Sequence, residues 1–367
     1  MNNKEPLIHI TRRGDIGWKK AWIIRGAAII TALIISAIAV TLATGLDPFS
    51  VYGKMFEGAF GSPRKMWILG KEIAFLLCVS LALTPAFKMK FWNLGGEGQI
   101  LIGALVTSAI MIYVGESLPN GALIPLMFIA AAGAGAIWAG IPAFFKAKWN
   151  TNETLFTLMM NYVAIQLVAY YIIIWEVPKG SGKVGIINQD SLAGWMPDLA
   201  GQKYLFVILL VALMTIGIHV YLKYSKHGYE LTVVGESRNT ARYVGIKVDS
   251  VIIRTLLLSG GMCGIVGWMM VSSTDHTITT TLAGGRGFMG IMVSWLAQFN
   301  PVAMIFASLL LVFMQRGAAE ISTAFQLNQS FGDIITGIIL FFLIGSEFFI
   351  NYRIHMRHKE KEGTENV

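Results

Sequence analysis

Charge is scarce in this chain. Asp, Glu, Lys and Arg make up 14% of its 367 residues and hydrophobic residues 55%, whereas a soluble domain carries about 25% charged residues. A water-solvated fold of this length would need far more polar surface, so that class is excluded. Cysteine is nearly absent too. Cys78 and Cys263 both fall inside apolar runs, which leaves no disulfide framework and no CxxC metal site. Catalytic signatures are also missing. No glycine stands five residues before Gly70-Lys71, and no other Gly-Lys pair leads into Ser or Thr, so nucleotide hydrolysis through a Walker A loop is ruled out. The six histidines form neither HxH nor HExxH, and there is no G-x-S-x-G elbow for acyl transfer. The reading is of a non-enzyme with no cofactor or metal of its own.

What the chain does have is long apolar runs. They start near Arg25, Met66, Leu94, Gly121, Thr154, Tyr204, Val251, Leu282, Pro301 and Gly332, and each is about long enough to cross a hydrocarbon core of roughly 30 Å. The expectation is an all-α polytopic membrane protein with about ten transmembrane helices. The run from Leu282 to Phe299 is short, glycine-rich and carries Arg286, so it is either a crossing or a re-entrant segment. The first run, Ala27 to Thr44, follows a basic flank like that of a signal peptide, but its length and the lack of an A-x-A site favour an uncleaved span.

The net charge of +8 resides at the ends of these runs and is not interleaved with aromatics along a soluble face, so a nucleic acid polymer is not the expected partner. With the amino terminus inside, 20 of the 29 Lys and Arg residues fall on the inner side and nine on the outer, the bias expected of cytoplasmic loops. Both termini are therefore expected in the cytoplasm.

An internal echo accompanies this topology. Gly95-Gly96-Glu97-Gly98 opens the third run and Gly284-Gly285-Arg286-Gly287 the eighth. Each is the third element of a five-span half, and an odd number of spans inverts the second half, giving the 5+5 inverted repeat of many transporters. Glycine at these places serves close helix packing, a pathway-lining break, or both. Ionisable and polar groups cluster nearby. Glu97 either caps its helix end or lines a path, flanked by Asn93 and Gln99. Asn152, Glu153, Thr157 and Asn161 enter the fifth run at helical spacing, a stripe suited either to a passing solute or to interhelical hydrogen bonds. Lys71 and Glu72 read as interfacial.

One inner loop, Lys226 to Asp249, is long and mixed in charge. In it Leu231 and Val234 stand three apart, so one helical face suits a groove on a soluble partner; a plain solvated connector is the other reading. Asn93 to Gln99, Gly228 to Gly245, and Asn152-Glu153 ahead of Met160-Asn161-Tyr162 together resemble the permeases of ATP-binding cassette importers in the ribose/branched-chain amino acid permease superfamily, nearest its nucleoside and simple-sugar branch. The likeness runs from Asp47-Pro48 to about Gly345. Lys88-Met89-Lys90 is more basic than that pattern.

The resemblance implies translocation of nucleosides or simple sugars across a bacterial cell membrane by alternating access. It implies a second permease subunit, cytoplasmic ATPases that use the ATP, and an external substrate-binding lipoprotein as partners, besides membrane lipid. It implies a cytoplasmic segment 1–24, a permease domain 25–350 with a coupling loop 225–250, and a cytoplasmic tail 351–367. Gly228, Glu230, Leu231, Val234, Gly235, Glu236, Arg242 and Gly245 would serve the ATPase contact. Asn93, Glu97, Gln99, Asn152, Glu153, Thr157, Asn161, Gly284, Gly285 and Gly287 would border the translocation path, and Asp47 to Trp67 would face the binding protein. The competing reading is an ion-coupled secondary transporter with Glu97 or Glu153 as its proton site. A polytopic membrane enzyme comes third.

Overall fold

The computed structural model describes residues 8–13 and 18–356. Among them are thirteen α-helices and one strand pair. The helices are α1 (Trp18–Thr44), α2 (Pro48–Phe60), α3 (Pro63–Lys88), α4 (Gly96–Val114), α5 (Asn120–Trp149), α6 (Glu153–Trp175), α7 (Leu205–Tyr224), α8 (Lys226–Glu236), α9 (Arg238–Tyr243), α10 (Val248–Met270), α11 (Arg286–Leu296), α12 (Pro301–Ala324) and α13 (Gln329–Asn351). A π turn, Val271–Asp275, extends α10. Their boundaries follow local chemistry. Pro48, Pro63 and Pro301 open helices at the position where a missing N–H costs nothing. Asn152, Ser225, Ser237 and Asn328 accept N–H groups from the first turns of α6, α8, α9 and α13.

Nine helices among the described residues are long and apolar enough to cross a membrane, so the chain is an integral, polytopic all-α membrane protein. The tenth expected span is different. Within residues 282–299 only α11 is helical, and its 11 residues cover about 16 Å, roughly half a hydrocarbon core. Strands β1 (Ile8–Arg12) and β2 (Tyr352–Met356) nevertheless pair antiparallel, Ile10 opposite Ile354, which puts the two ends of the described chain on one side. Residues 282–296, part loop and part half-helix, are not among the helices long enough to span. Residues 1–7, 14–17 and 357–367 of the expected terminal segments lie outside the described residues.

The chain forms two compact units. The first comprises residues 1–62 and 313–367. In it α1 runs along α13, tied by Arg25 to Glu347 at 2.7 Å, and α2 lies against the second half of α12. A Cβ on Gly58 would stand 2.6 Å from the Cβ of Glu320. Ile30, Ile34, Ile38 and Leu42 on α1 are exposed apolar side chains suited to lipid.

The second unit, residues 63–312, holds the expected site residues. Its core is α10 packed on α4 and α5 with almost no side chain between them. A Cβ on Gly264 would meet the Ala131 carbonyl at 2.2 Å, one on Gly103 the Gly264 carbonyl at 2.3 Å, and one on Gly267 the Ile100 carbonyl at 2.2 Å. Small residues permit this backbone contact, which is how helices associate where lipid offers no hydrophobic drive. Helix α3 is buried along most of its length. The segment 176–204 folds over the end of α10: the Met196 N–H donates to Ser272 O (2.9 Å) and that of Ile187 to His276 O (2.7 Å). Trp195 stacks flat on His276, ring centroids 3.5 Å apart.

Two outcomes are expected. Gly264→Val drives a side chain into backbone, so the detergent-solubilised protein should lose at least about 1–3 kcal/mol of stability, read by thermal melting. Gly217→Val, with nothing within 4 Å of its Cβ position, should melt like the parent.

The second concerns pH. His276 lies just beyond the α10 span with neither ring nitrogen hydrogen-bonded. Burial, then the charge of Lys203, lower its pKa from 6.5 to about 4. The unfolded chain therefore takes up a proton in a range where the folded chain does not. The stabilisation is full above about pH 6.5 and is lost as pH falls towards 4. Melting temperature should drop over that window, and His276→Gln should flatten the drop; an unchanged slope in the variant would refute this origin.

Candidate functional site

The chain between α3 and α4 is not helical. Lys88 to Gly95 turns back into the protein, with Met89, Phe91 and Asn93 buried, and buried non-helical backbone must find its hydrogen bonds within protein. The polar residues singled out from sequence supply them. Asn161 donates from Nδ2 to Leu94 O (2.8 Å) and accepts the Gly98 N–H (2.8 Å). Thr157 Oγ1 accepts the Leu94 N–H (3.1 Å). Asn93 Oδ1 accepts the Gly95 N–H (3.0 Å) and Gln99 Nε2 (3.1 Å), while its Nδ2 donates to Ser259 on α10 (3.3 Å). Asn93, Gln99, Thr157 and Asn161 are thus one buried network around the lead-in to α4. Asn152 and Glu153 stand apart from it: Asn152 caps α6 through the Leu155 N–H (3.1 Å), and Glu153 pairs with Lys146 at 2.8 Å.

The amino ends of α4 and α11 meet. A Cβ on Gly96 would lie 3.2 Å from Gly287 Cα, and one on Gly287 only 2.6 Å from the Glu97 N. Glu97 Oε1 accepts the Gly287 N–H at 2.8 Å, so this carboxylate caps the opposing helix, where both helices present the positive ends of their dipoles. Gly284 and Gly285 adopt φ of +57° and +77°, the left-handed turn that starts α11 and that a side chain would strain. Two helix amino termini meeting after non-helical backbone is the arrangement of discontinuous transporter helices at a solute path.

Two groups flank this junction, both unnoticed as such in the sequence. Towards the amino end of α3, Lys71 is buried, only 6% exposed, and Glu72 is half-buried, where the sequence predicts both to be interfacial. Glu72 pairs with Lys71 (3.1 Å) and with Arg286 at the head of α11 (2.5 Å). Towards the carboxyl ends of α3 and α11 stands a chain of rings: Phe87 on Trp92 (5.7 Å), Trp92 stacked on Trp295 (5.6 Å), and Trp295 on Phe299 (5.5 Å). Ser294 also donates to Ser80 O at 2.9 Å, fixing α11 along α3. Two adjacent charges about five residues into an apolar run were the available signal for the ion cluster. Their partner, more than two hundred residues away, was not legible.

The loop after α7 is helical, as α8 and α9, but its apolar face turns inward. Leu231 and Val234 are buried within this chain, which corrects the expectation that they press into a partner's groove. They face inward because α8 lies on the end of α3: a Cβ on Gly235 would sit 2.3 Å from Lys88 O, and Gly228 is equally tight against Leu222 O at 2.6 Å. Glu230 is half-buried, its carboxylate 4.0 Å from Lys226. What faces out is Glu236, Arg242 and Gly245 (φ +83°), together with Tyr229, Val244 and Tyr243, the last 93% exposed. His227 forms a short hydrogen bond with Tyr221, and burial holds its pKa below the usual histidine value.

Comparison with known proteins places this geometry. The family described as branched-chain amino acid transport system / permease component matches residues 70–344. The chain is 30% identical to the glucose ABC transporter permease protein TsgB13 of Haloferax volcanii, over 91% of this chain and 90% of that protein. It is 29% identical to the guanosine ABC transporter permease protein NupP of Bacillus subtilis, over 87% and 92%. A second guanosine ABC transporter permease protein of that organism, NupQ, is 24% identical over 61% of this chain and 72% of its own length.

Replacing Asn161 by Leu keeps the volume but strands the Gly98 N–H and the Leu94 carbonyl. The loss should be about 1–3 kcal/mol for each group left unmet, visible as a lowered melting temperature. Asn152→Ala removes only an exposed cap and should cost about 1 kcal/mol.

Proposed function

From the premise that the chain belongs to the permease-component family of branched-chain amino acid transport systems and is the membrane permease of an ATP-binding cassette importer, we propose that it passes a neutral nucleoside or simple sugar through the seam between α3, α4 and α11. The observation that carries this reading is the head-on meeting of α4 and α11, with a charged, polar group of residues beyond it at one end and stacked aromatic rings at the other. Alternating access follows: the ring cluster closes one side while the other is open, and movement of α11 against α3 exchanges the two.

Sidedness comes from the basic residues. The α8–α9 loop sits on the Lys- and Arg-rich side, which makes it cytoplasmic, and its outward surface of Tyr229, Glu236, Arg242, Tyr243 and Val244 is the contact offered to an ATPase. Membership of the family implies ATP-binding and substrate-binding partner subunits. That the chain resembles both guanosine permeases of one organism supports a second, related permease beside it. Helix α2 holds in the order α1–α2–α3 the place that α8–α9 holds between α7 and α10, and so is the segment that faces the external binding protein. Segments 1–24 and 351–367 belong with the cytoplasmic side. The network of Asn93, Gln99, Thr157 and Asn161 positions the α4 lead-in, while Glu97, Gly284, Gly285 and Gly287 border the path itself. Glu97 and Glu153, the acids an ion-coupled mechanism would draw on, are engaged by Gly287 and Lys146, and nothing favours that mechanism.

Alanine at Glu236, Arg242 and Tyr243 together should lower solute-stimulated ATP hydrolysis by the reconstituted complex roughly tenfold, equivalent to about 1.4 kcal/mol of contact, with membrane insertion intact. Stimulation equal to the parent's would remove the coupling role from this loop.

A further inference from the structure

A cavity of about 260 Å³ opens beside the α3–α11 ion cluster, at the end of α3 away from α8. Its walls come from three places: Lys71, Glu72 and Phe75 on α3; Thr274 and Asp275 in the π turn; and the strap of Thr277, Thr279 and Thr281 that leads to Arg286. We propose that this cavity is a solute-binding site of the permease itself, selective for the vicinal diol of a neutral sugar ring. The proposal rests on the importer reading and specifies its ligand.

The argument is one of hydrogen-bonding capacity. Both cations of the cluster are committed, Lys71 and Arg286 each to Glu72. Asp275 is exposed to the cavity, and no ion pair or hydrogen bond joins its carboxylate to another described residue. The hydroxyls of Thr277, Thr279 and Thr281 likewise make no side-chain hydrogen bond to a described residue. What the wall offers an incoming molecule is thus one carboxylate, able to accept two O–H groups side by side, and three hydroxyls that donate or accept. Adjacent sugar hydroxyls fit that set. A phosphate does not, because its charge would meet the open carboxylate in a cluster whose four charges already balance. The two cations and two anions sum to zero, so a neutral solute enters without leaving an uncompensated charge at a partly dry site. The volume is below the roughly 300–1,000 Å³ of drug-sized pockets, room for one ring and not for an extended chain. A polyhydroxylated ring is also what glucose and guanosine, the solutes named for two relatives, have in common.

Thr279 is exposed in the cavity, and Cys78 and Cys263 are fully buried, so Thr279→Cys places one reactive thiol at the site. In the complete importer reconstituted in proteoliposomes, labelling by a membrane-impermeant maleimide would be timed with and without glucose, guanosine, 2′-deoxyguanosine and guanosine monophosphate. Glucose or guanosine at ten times its half-protecting concentration should slow labelling roughly tenfold. The deoxy compound and the monophosphate should protect far less. Asp275→Asn in the same background should raise the half-protecting concentration about tenfold, with protein yield unchanged.

No protection by any neutral diol overturns the site. Equal protection by the deoxy or phosphorylated compound overturns its diol selectivity, as does indifference to Asp275→Asn. Protection in a complex whose ATP hydrolysis ignores solute would leave the site standing and sink the importer reading instead.

Discussion

Every backbone N–H and C=O placed at membrane depth has to find a partner inside the protein, because lipid offers none. Nine long helices among the described residues meet this demand by themselves. The two places that do not, the lead-in to α4 and the strap before α11, account for most of what is distinctive in the second unit. At the first, Asn93 from the loop itself and Thr157 and Asn161 from α6 satisfy the open backbone. At the second, the Gly284 and Gly285 turn starts a half-helix whose free Gly287 N–H is met from across the seam by Glu97. Breaking a helix frees polar backbone groups, and here side chains from neighbouring elements take them up.

The charges obey the same economy of the interior. Lys71, Glu72 and Arg286 are tolerated because they neutralise one another at short range, and Asp275 completes the balance beside a cavity. Isolated, each would be expensive in a hydrocarbon setting. Grouped, they give the permease a polar wall in a molecule otherwise short of charge, and they join α3, from the first half of the helix order, to α11, from the second.

Much of this was legible in the sequence, for a physical reason: hydropathy over 19 to 30 residues is a sum, and sums survive ignorance of tertiary contacts. The nine long helices followed from it. Helix α11 did not, because 11 residues are too few for length to discriminate a crossing from a re-entrant piece. The glycine echo at Gly95 and Gly284 located the junction but not what it joins, since a shared tetrapeptide carries no distance. Spacing put Thr157 and Asn161 on one face correctly, yet whether that face meets solute or a neighbour's backbone depends on a loop sixty residues earlier. Leu231 and Val234 were recognisable as an apolar stripe for the same reason, while the surface they cover, the end of α3, is set by packing. Lys71 and Glu72 looked interfacial because their counter-ion is more than two hundred residues away.

The seating of Gly235 on the last carbonyls of α3 carries a mechanical implication. With no side chain at that point, α8 and α3 touch backbone to backbone, a joint with no give in compression. From Lys88 to Lys71 the helix is continuous, a strut of about 26 Å whose far end grips Arg286 through Glu72. Under the coupling proposed for the α8–α9 loop, a push on α8 would reach the head of α11 without passing through any soft intermediary. The one articulation on the way is Pro85, which lacks the N–H that would stiffen its turn, so the strut can swivel near its base while staying straight above it.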